Sequence, residues 1–151
     1  KESNFIVSQS VNQYINLEKK LNYKQLEPYK NFSKNVSLIK EKILQLINDL
    51  NSSKNIVGAF GAPAKGNTML NYLKADNNLI IAVADNTPSK IGKLTPGTHI
   101  PIVSDNDFKK LNIKYALLLS WNYLEFFLNN ASFIQSGGKF IVPFPEPKIL
   151  P

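Results

Sequence analysis

Apolar and polar positions alternate along this chain in two rhythms, helical at first and then strand-like between turns. Phe5, Val7, Val11, Tyr14, Ile15, Leu17 and Leu21 stand among polar residues at a spacing that suits an amphipathic helix over residues 5 to 21. Asn22 and Tyr23 break it, and Pro28 punctuates the approach to the next element. Tyr29, Phe32, Val36, Ile39, Ile43, Leu46 and Leu50 then recur at steps of three and four, a strong helical stripe. That stripe suits packing on the rest of this chain or on a preceding domain. A coiled-coil homodimer is the alternative, poorly supported without ordered flanking charges.

Asn51, Ser52 and Ser53 end the stripe, and the rhythm changes at once. Ile56 to Phe60 are short, apolar and β-prone; Gly61 and Pro63 make a turn; Gly66 and Asn67 open a helix that carries Met69, Leu70, Tyr72 and Leu73. Asp76 to Asn78 form a polar turn before a second apolar strand, Leu79 to Ala84, that stops at Asp85. A long loop runs from 86 to 102. Ser104 or Asp105 caps a short helix to Lys110, Tyr115 to Leu119 read as a central strand, and Leu124 to Phe133 read as a helix. After Gly137 and Gly138, Lys139 to Val142 form a last strand before a proline-rich tail. The pattern predicts an α/β domain over 54–151 with a mostly parallel sheet, preceded by a helical segment over 1–53 that packs on it.

Length and composition fit this picture. A chain of 151 residues can bury roughly 70% of its unfolded surface in one core. Hydrophobic residues make up 43% and charged residues 19%, and no apolar run approaches a membrane span, so no membrane partner is expected. The sequence contains no signal peptide and starts without methionine, which fits a segment of a longer protein. It has no cysteine and one histidine, so no thiolate or histidine-built metal site is expected, and a reducing cytoplasm is permitted. Net charge is +7, yet every one of the 18 basic residues is lysine. Without arginine forks, general anion attraction is a better reading than nucleic-acid recognition. The 19 asparagines beside so much lysine suggest an AT-rich genome, so part of the charge reflects codon bias.

The chemistry gathers at strand ends. A strand–turn–helix unit aims free N–H groups outward at the helix start, where Lys65 adds a full charge; a phosphate or carboxylate suits the spot. Neither nucleotide fingerprint is met: Gly58 and Gly61 are three apart, and Asn67 stands where a Walker loop needs lysine. Asp85 can hold a ribose hydroxyl or cap its own turn. Lys90 and Lys93 can meet a diphosphate, while His99 can move a proton or simply pin the loop. With parallel strands, Gly61, Asp85 and Trp121 share one rim.

Taken together, GAPAKGNTMLNY at 61–72, DNTPSKIGKLTPGTHIPI at 85–102, SWNY at 120–123 and GGKFIVPFP at 137–145 resemble the C-terminal domain of the sugar C-methyltransferases, from about Tyr29 to the end. The resemblance implies a Rossmann-like three-layer fold that helps hold a nucleotide-sugar. It implies preceding zinc-binding and S-adenosylmethionine-binding domains outside this chain, with no cofactor held tightly here. The implied reaction removes a proton beside a sugar ketone and transfers a methyl to the resulting carbanion. The family's catalytic bases belong to the central domain, so His99 does not inherit their role and catalytic residues within this chain are unknown. Implied substrate contacts are Gly61, Ala62, Lys65, Gly66, Asn67, Thr68, Asp85, Lys90, His99, Trp121 and Asn122. Three rivals remain: an NAD(P)-dependent oxidoreductase-like domain, favoured by Asp85; a noncatalytic nucleotide-binding or scaffold module, favoured by the helical stripe; and nucleic-acid binding, which rests on charge alone.

Overall fold

The structure is a computed structural model that describes residues 8–151; Phe5 and Val7 of the expected first helix lie outside them. The chain divides into two compact units, Lys1–Leu38 and Ile39–Pro151. In the first, α1 (Gln9–Lys20) has no buried residue, and α2 (Glu27–Ser52) begins here and continues into the second. The Tyr29 hydroxyl donates to the Tyr23 carbonyl at 2.8 Å, fixing the bend between the two helices.

In the second unit six strands form one sheet: β1 (Val57–Phe60), β2 (Val83–Ala84), β3 (Ile102–Val103), β4 (Tyr115–Leu118), β5 (Lys139–Val142) and β6 (Lys148–Leu150). Their order is β3-β2-β1-β4-β5-β6, parallel except for β6. This is the doubly wound Rossmann order, with the chain reversing direction across the sheet between β1 and β4. The helices are α3 (Ala64–Leu73), α4 (Asp105–Lys110), α5 (Leu124–Asn130) and α6 (Ser132–Gln135).

Strand alternation sends side chains to two cores. Val57, Ala59, Leu117, Leu119 and Ile141 meet Ile43 and Ile47 of α2 and Met69, Leu70 and Leu73 of α3 on one face. Phe60, Ala116, Leu118, Phe140 and Val142 meet Phe108 of α4 and Phe133 of α6 on the other. Phe60 sits at the centre of the second core, its ring centroid within 5.3–6.2 Å of those of Phe108, Phe127, Phe133 and Phe140. Of the helical stripe, Ile43 is buried in the first core and Ile39, Leu46 and Leu50 pack against it, whereas Tyr29 and Phe32 stay exposed.

Several boundaries differ from the sequence expectation. α3 starts at Ala64, three residues before Asn67, because Pro63, extended at φ −78°, ψ 160°, already sets the chain for a helix. Lys65 therefore lies in the first turn of α3. Gly66 is inside the helix because it nearly touches β4: an added Cβ would come 2.6 Å from Leu119 Cβ. The second strand is shorter than expected, since Leu79 closes a turn on the Asp76 carboxylate at 3.0 Å. The helix expected over 124–133 breaks at Ala131, after Asn129 and Asn130 turn back to the carbonyls of Glu125 and Phe126 at 2.8 Å. The 86–102 loop ends in β3, and the proline-rich tail supplies β6.

The approach of α3 to β4 gives the first prediction. Gly66→Ala gains about 1 kcal/mol of helix propensity and loses about 1–3 kcal/mol by overpacking. Urea unfolding is expected to show net destabilisation, whereas Thr68→Ala, exposed on the same helix, leaves the midpoint nearly unchanged.

Candidate functional site

The carboxyl ends of β1, β2 and β4 bring Gly61, Asp85 and the Ser120–Asn122 segment to one rim, as expected from parallel strands. Gly61 is left-handed at φ 80°, a conformation that lets the chain leave β1 sharply, and an added Cβ there would collide with Ser120 Oγ. Its N–H donates to the Ala84 carbonyl at 2.8 Å. α3 follows. Asn67 N–H makes an early intrahelical bond, to the Pro63 carbonyl at 3.1 Å, so the N–H groups of Ala64, Lys65 and Gly66 precede the helical ladder. That is a place for negative charge.

Asp85 holds this turn together. One carboxylate oxygen accepts from Ala62 N–H at 2.7 Å and the other from Thr87 N–H at 2.8 Å. Lys90 Nζ meets the same carboxylate at 3.3 Å and donates to the Ala62 carbonyl at 3.0 Å. Burial would raise the Asp85 pKa, but hydrogen bonds from Thr87 and Ala62 and the Lys90 charge outweigh it and hold the carboxyl below its ordinary value. Of the two roles open to Asp85, capping is the one its contacts describe. Lys90 is likewise committed to the turn.

Lys65 is disposed differently. Its ammonium donates to Asn122 Oδ1 and lies 4.2 Å from the centroid of the Trp121 ring. The edge of Phe144 packs on Trp121 with centroids 4.9 Å apart. Among the described residues no carboxylate pairs with Lys65, so its charge is available at the rim.

The remaining expected residues separate. Asn67 lines an open cavity of about 430 Å³ between the start of α3 and the 86–101 loop, with Pro63, Lys90, Lys93, Leu94 and Ile102. The Thr68 hydroxyl returns to the Ala64 carbonyl at 3.3 Å. His99 is exposed and left-handed at φ 54°; its backbone N–H, not its ring, pins the loop through the Thr95 carbonyl at 2.9 Å. Thr95, which sequence reasoning missed, is the buried anchor: its Oγ1 accepts from Ile100 N–H at 2.9 Å and bonds Thr98 Oγ1 at 2.6 Å. Asn71 ties the same loop to α3 by donating to the carbonyls of Asn67 and Pro96, both at 2.9 Å. A threonine in a loop and an asparagine on a helix give no distinctive signal. Among the described residues no group of three or more acids and histidines lies placed to hold a metal.

A second cavity of about 330 Å³ opens beside Gly61, Asp85, Thr87, Asp105, Ser120 and Phe127. It bears two acids and no lysine. The lysine-bearing cavity and Lys65 therefore concentrate the positive charge around the start of α3.

Residues 1–145 match the family of C-methyltransferase C-terminal domains, and the chain belongs to that family. It is similar to the C-methyltransferase NovU of Streptomyces niveus, with 34% identity over 123 residues, 81% of this chain and 29% of the relative. The chain thus spans less than a third of that relative's length.

The Asp85 clamp predicts a pH dependence with a definite sign. A carboxyl whose pKa is lowered by folding stabilises the folded state above the ordinary carboxylate range, and that contribution is lost as pH falls through the folded value. Asp85→Asn is expected to cost about 1.5–3 kcal/mol near neutral pH and to flatten the acid limb of a stability–pH profile.

Proposed function

We propose that this C-methyltransferase C-terminal domain holds a nucleotide-linked sugar within a larger enzyme that methylates a sugar carbon next to a ketone. The observation that carries the reading is Lys65, poised with Trp121 and Asn122 beside the first N–H groups of α3. A diphosphate needs fixed donors and a cation, and these groups offer both. Asn122 and the aromatic pair Trp121 and Phe144 suit a ring with polar and apolar faces.

S-adenosylmethionine supplies the methyl group, bound by another domain of the enzyme. The residues of this chain do not suit it: the acid at the end of β2, where a ribose hydroxyl would be held, is committed to Ala62, Thr87 and Lys90. The same commitment weighs against an NAD(P)-dependent reading. Exposed His99 has no hydrogen-bond partner for its ring among the described residues, so no proton transfer is assigned to it. The partners proposed for the exposed side chains Tyr14, Leu26 and Phe32 of the first unit are the other domains of the same enzyme.

The test is a thermal-shift panel of dTDP, UDP, GDP, NAD and S-adenosylmethionine at two salt concentrations. A shift with one nucleoside diphosphate that survives higher salt is expected, with none from NAD or S-adenosylmethionine. Lys65→Ala should weaken a nucleoside diphosphate sugar about five- to tenfold, as expected for the loss of a charge-assisted contact. Unchanged affinity in calorimetry would remove Lys65 from the site.

A further inference from the structure

We infer that the loop between β2 and β3 is a preformed wall, not a lid, and that Asn71 of α3 is the positioning residue that sets its distance from the helix. The inference goes beyond the nucleotide-sugar reading, and only the ligand arm of its test rests on that reading.

A loop of this length beside an open cavity is ordinarily a candidate for closure over a ligand. Closure draws on segments held by few bonds. This loop is held along its length. At its root, Thr87 N–H is fixed on the Asp85 carboxylate and Lys90 returns to the Ala62 carbonyl. Along its stem, Gly92 N–H donates to the Ile102 carbonyl at 2.9 Å, Ile102 N–H to the Lys93 carbonyl at 2.8 Å, and Thr95 N–H to the Ile100 carbonyl at 2.9 Å. Thr95 is buried, and Ile100 and Ile102 belong to the same core as Met69, Leu70 and Leu73 of α3. Pro88, Pro96 and Pro101 remove further backbone freedom.

The tip is the part that burial does not hold: Pro96, Gly97 and His99 are exposed. Asn71 reaches it from α3. Both hydrogens of its Nδ2 are committed, one to the Asn67 carbonyl and one to the Pro96 carbonyl, each at 2.9 Å. The first bond fixes the amide against its own helix, and the second carries that orientation to the loop. On its other side, Oδ1 lies against Gly97, which is left-handed at φ 82°; a Cβ there would collide with it. The bond to Pro96 keeps the tip from moving away, and the contact with Gly97 keeps it from moving closer. One amide therefore sets the spacing in both directions.

That spacing determines the mouth of the cavity of about 430 Å³, where Ala62, Pro63 and Asn67 stand opposite Lys93, Leu94 and Pro96. Asn71 acts on it through Pro96. The width is set before anything enters, so an occupant meets a finished wall and spends none of its binding energy on ordering one.

Hydrogen exchange followed by NMR on the 151-residue chain, without ligand, reads the wall directly. The amides of Gly92, Thr95, Ile100 and Ile102 are expected to be protected in the free protein. Asn71→Ala is expected to speed exchange at His99, whose N–H bonds the Thr95 carbonyl, about 3- to 10-fold, the equivalent of one exposed hydrogen bond, while Val83 and Leu117 in the sheet keep their rates. Gly97→Ala should loosen the tip by a different route, and adding Asn71→Ala to it should bring no further increase. For the ligand arm, Trp121 fluorescence would follow mixing with dTDP, UDP or GDP. Observed rates for the nucleotide that binds are expected to rise linearly with concentration, and Asn71→Ala is expected to weaken its affinity about 3- to 10-fold, because only the fraction of molecules with a seated tip is competent. Exchange over 92–102 that is fast in the free protein and slows when the nucleotide binds would overturn the wall in favour of a lid. Unchanged exchange at His99 in Asn71→Ala would remove Asn71 from the positioning role. A chain that binds none of the three nucleotides would count against the nucleotide-sugar reading, and the exchange rates would still decide between wall and lid.

Discussion

The Asp85 carboxylate is the contact on which the rim of this sheet depends. It lies at the end of β2 yet accepts from the N–H of Ala62, in the turn that follows β1, and from Thr87, in its own loop. Lys90 closes the arrangement on the Ala62 carbonyl. Two strand ends, a turn and the root of a long loop are thereby fixed by one half-buried charge. Leaving either N–H without an acceptor in this setting costs more than an ordinary surface hydrogen bond returns. The turn that leads into the helix start is thereby tied to the end of β2 through the Ala62 N–H and carbonyl.

This use of an acid departs from the dinucleotide-binding pattern in an instructive way. The strand order and the position of the crevice are those of a doubly wound nucleotide-binding sheet. The two residue types that usually make such a sheet a cofactor site, closely spaced glycines and a free acid on β2, are replaced by Gly61, Pro63 and a committed Asp85. The fold supplies the place, and the side chains decide what can occupy it.

Much of the architecture was legible because it is written in local signals. The apolar run before Gly61, the serine ahead of Asp105 and the uniform strand at Tyr115 each announce an element by chemistry that acts within a few residues. Ser104 indeed caps α4, accepting from Asp107 N–H at 3.2 Å. β3 and β6 were not legible: each is only two or three residues long, and prolines at 101, 147 and 151 mask them. Their pairing is decided by distant partners, Ala84 for Val103 and Phe140 for Leu150. The site divides in the same way. Sequence placed Gly61, Asp85 and Trp121 on one rim, but the unpartnered state of Asn67 Oδ1 and the engaged state of Asp85 are properties of side-chain geometry.

Those two late strands govern how the sheet ends. β6 runs antiparallel along β5, flanked by Pro147 and Pro151, which have no N–H to offer. At the opposite margin Ile102 N–H donates to the Lys93 carbonyl at 2.8 Å and Gly92 N–H to the Ile102 carbonyl at 2.9 Å, so the loop lies along β3 like a hem. Unsheathed margins are where identical chains zip together into fibrous aggregates. A lysine-rich protein with so apolar a sheet is thus guarded against self-templating by the segments whose sequence looks least like β-structure.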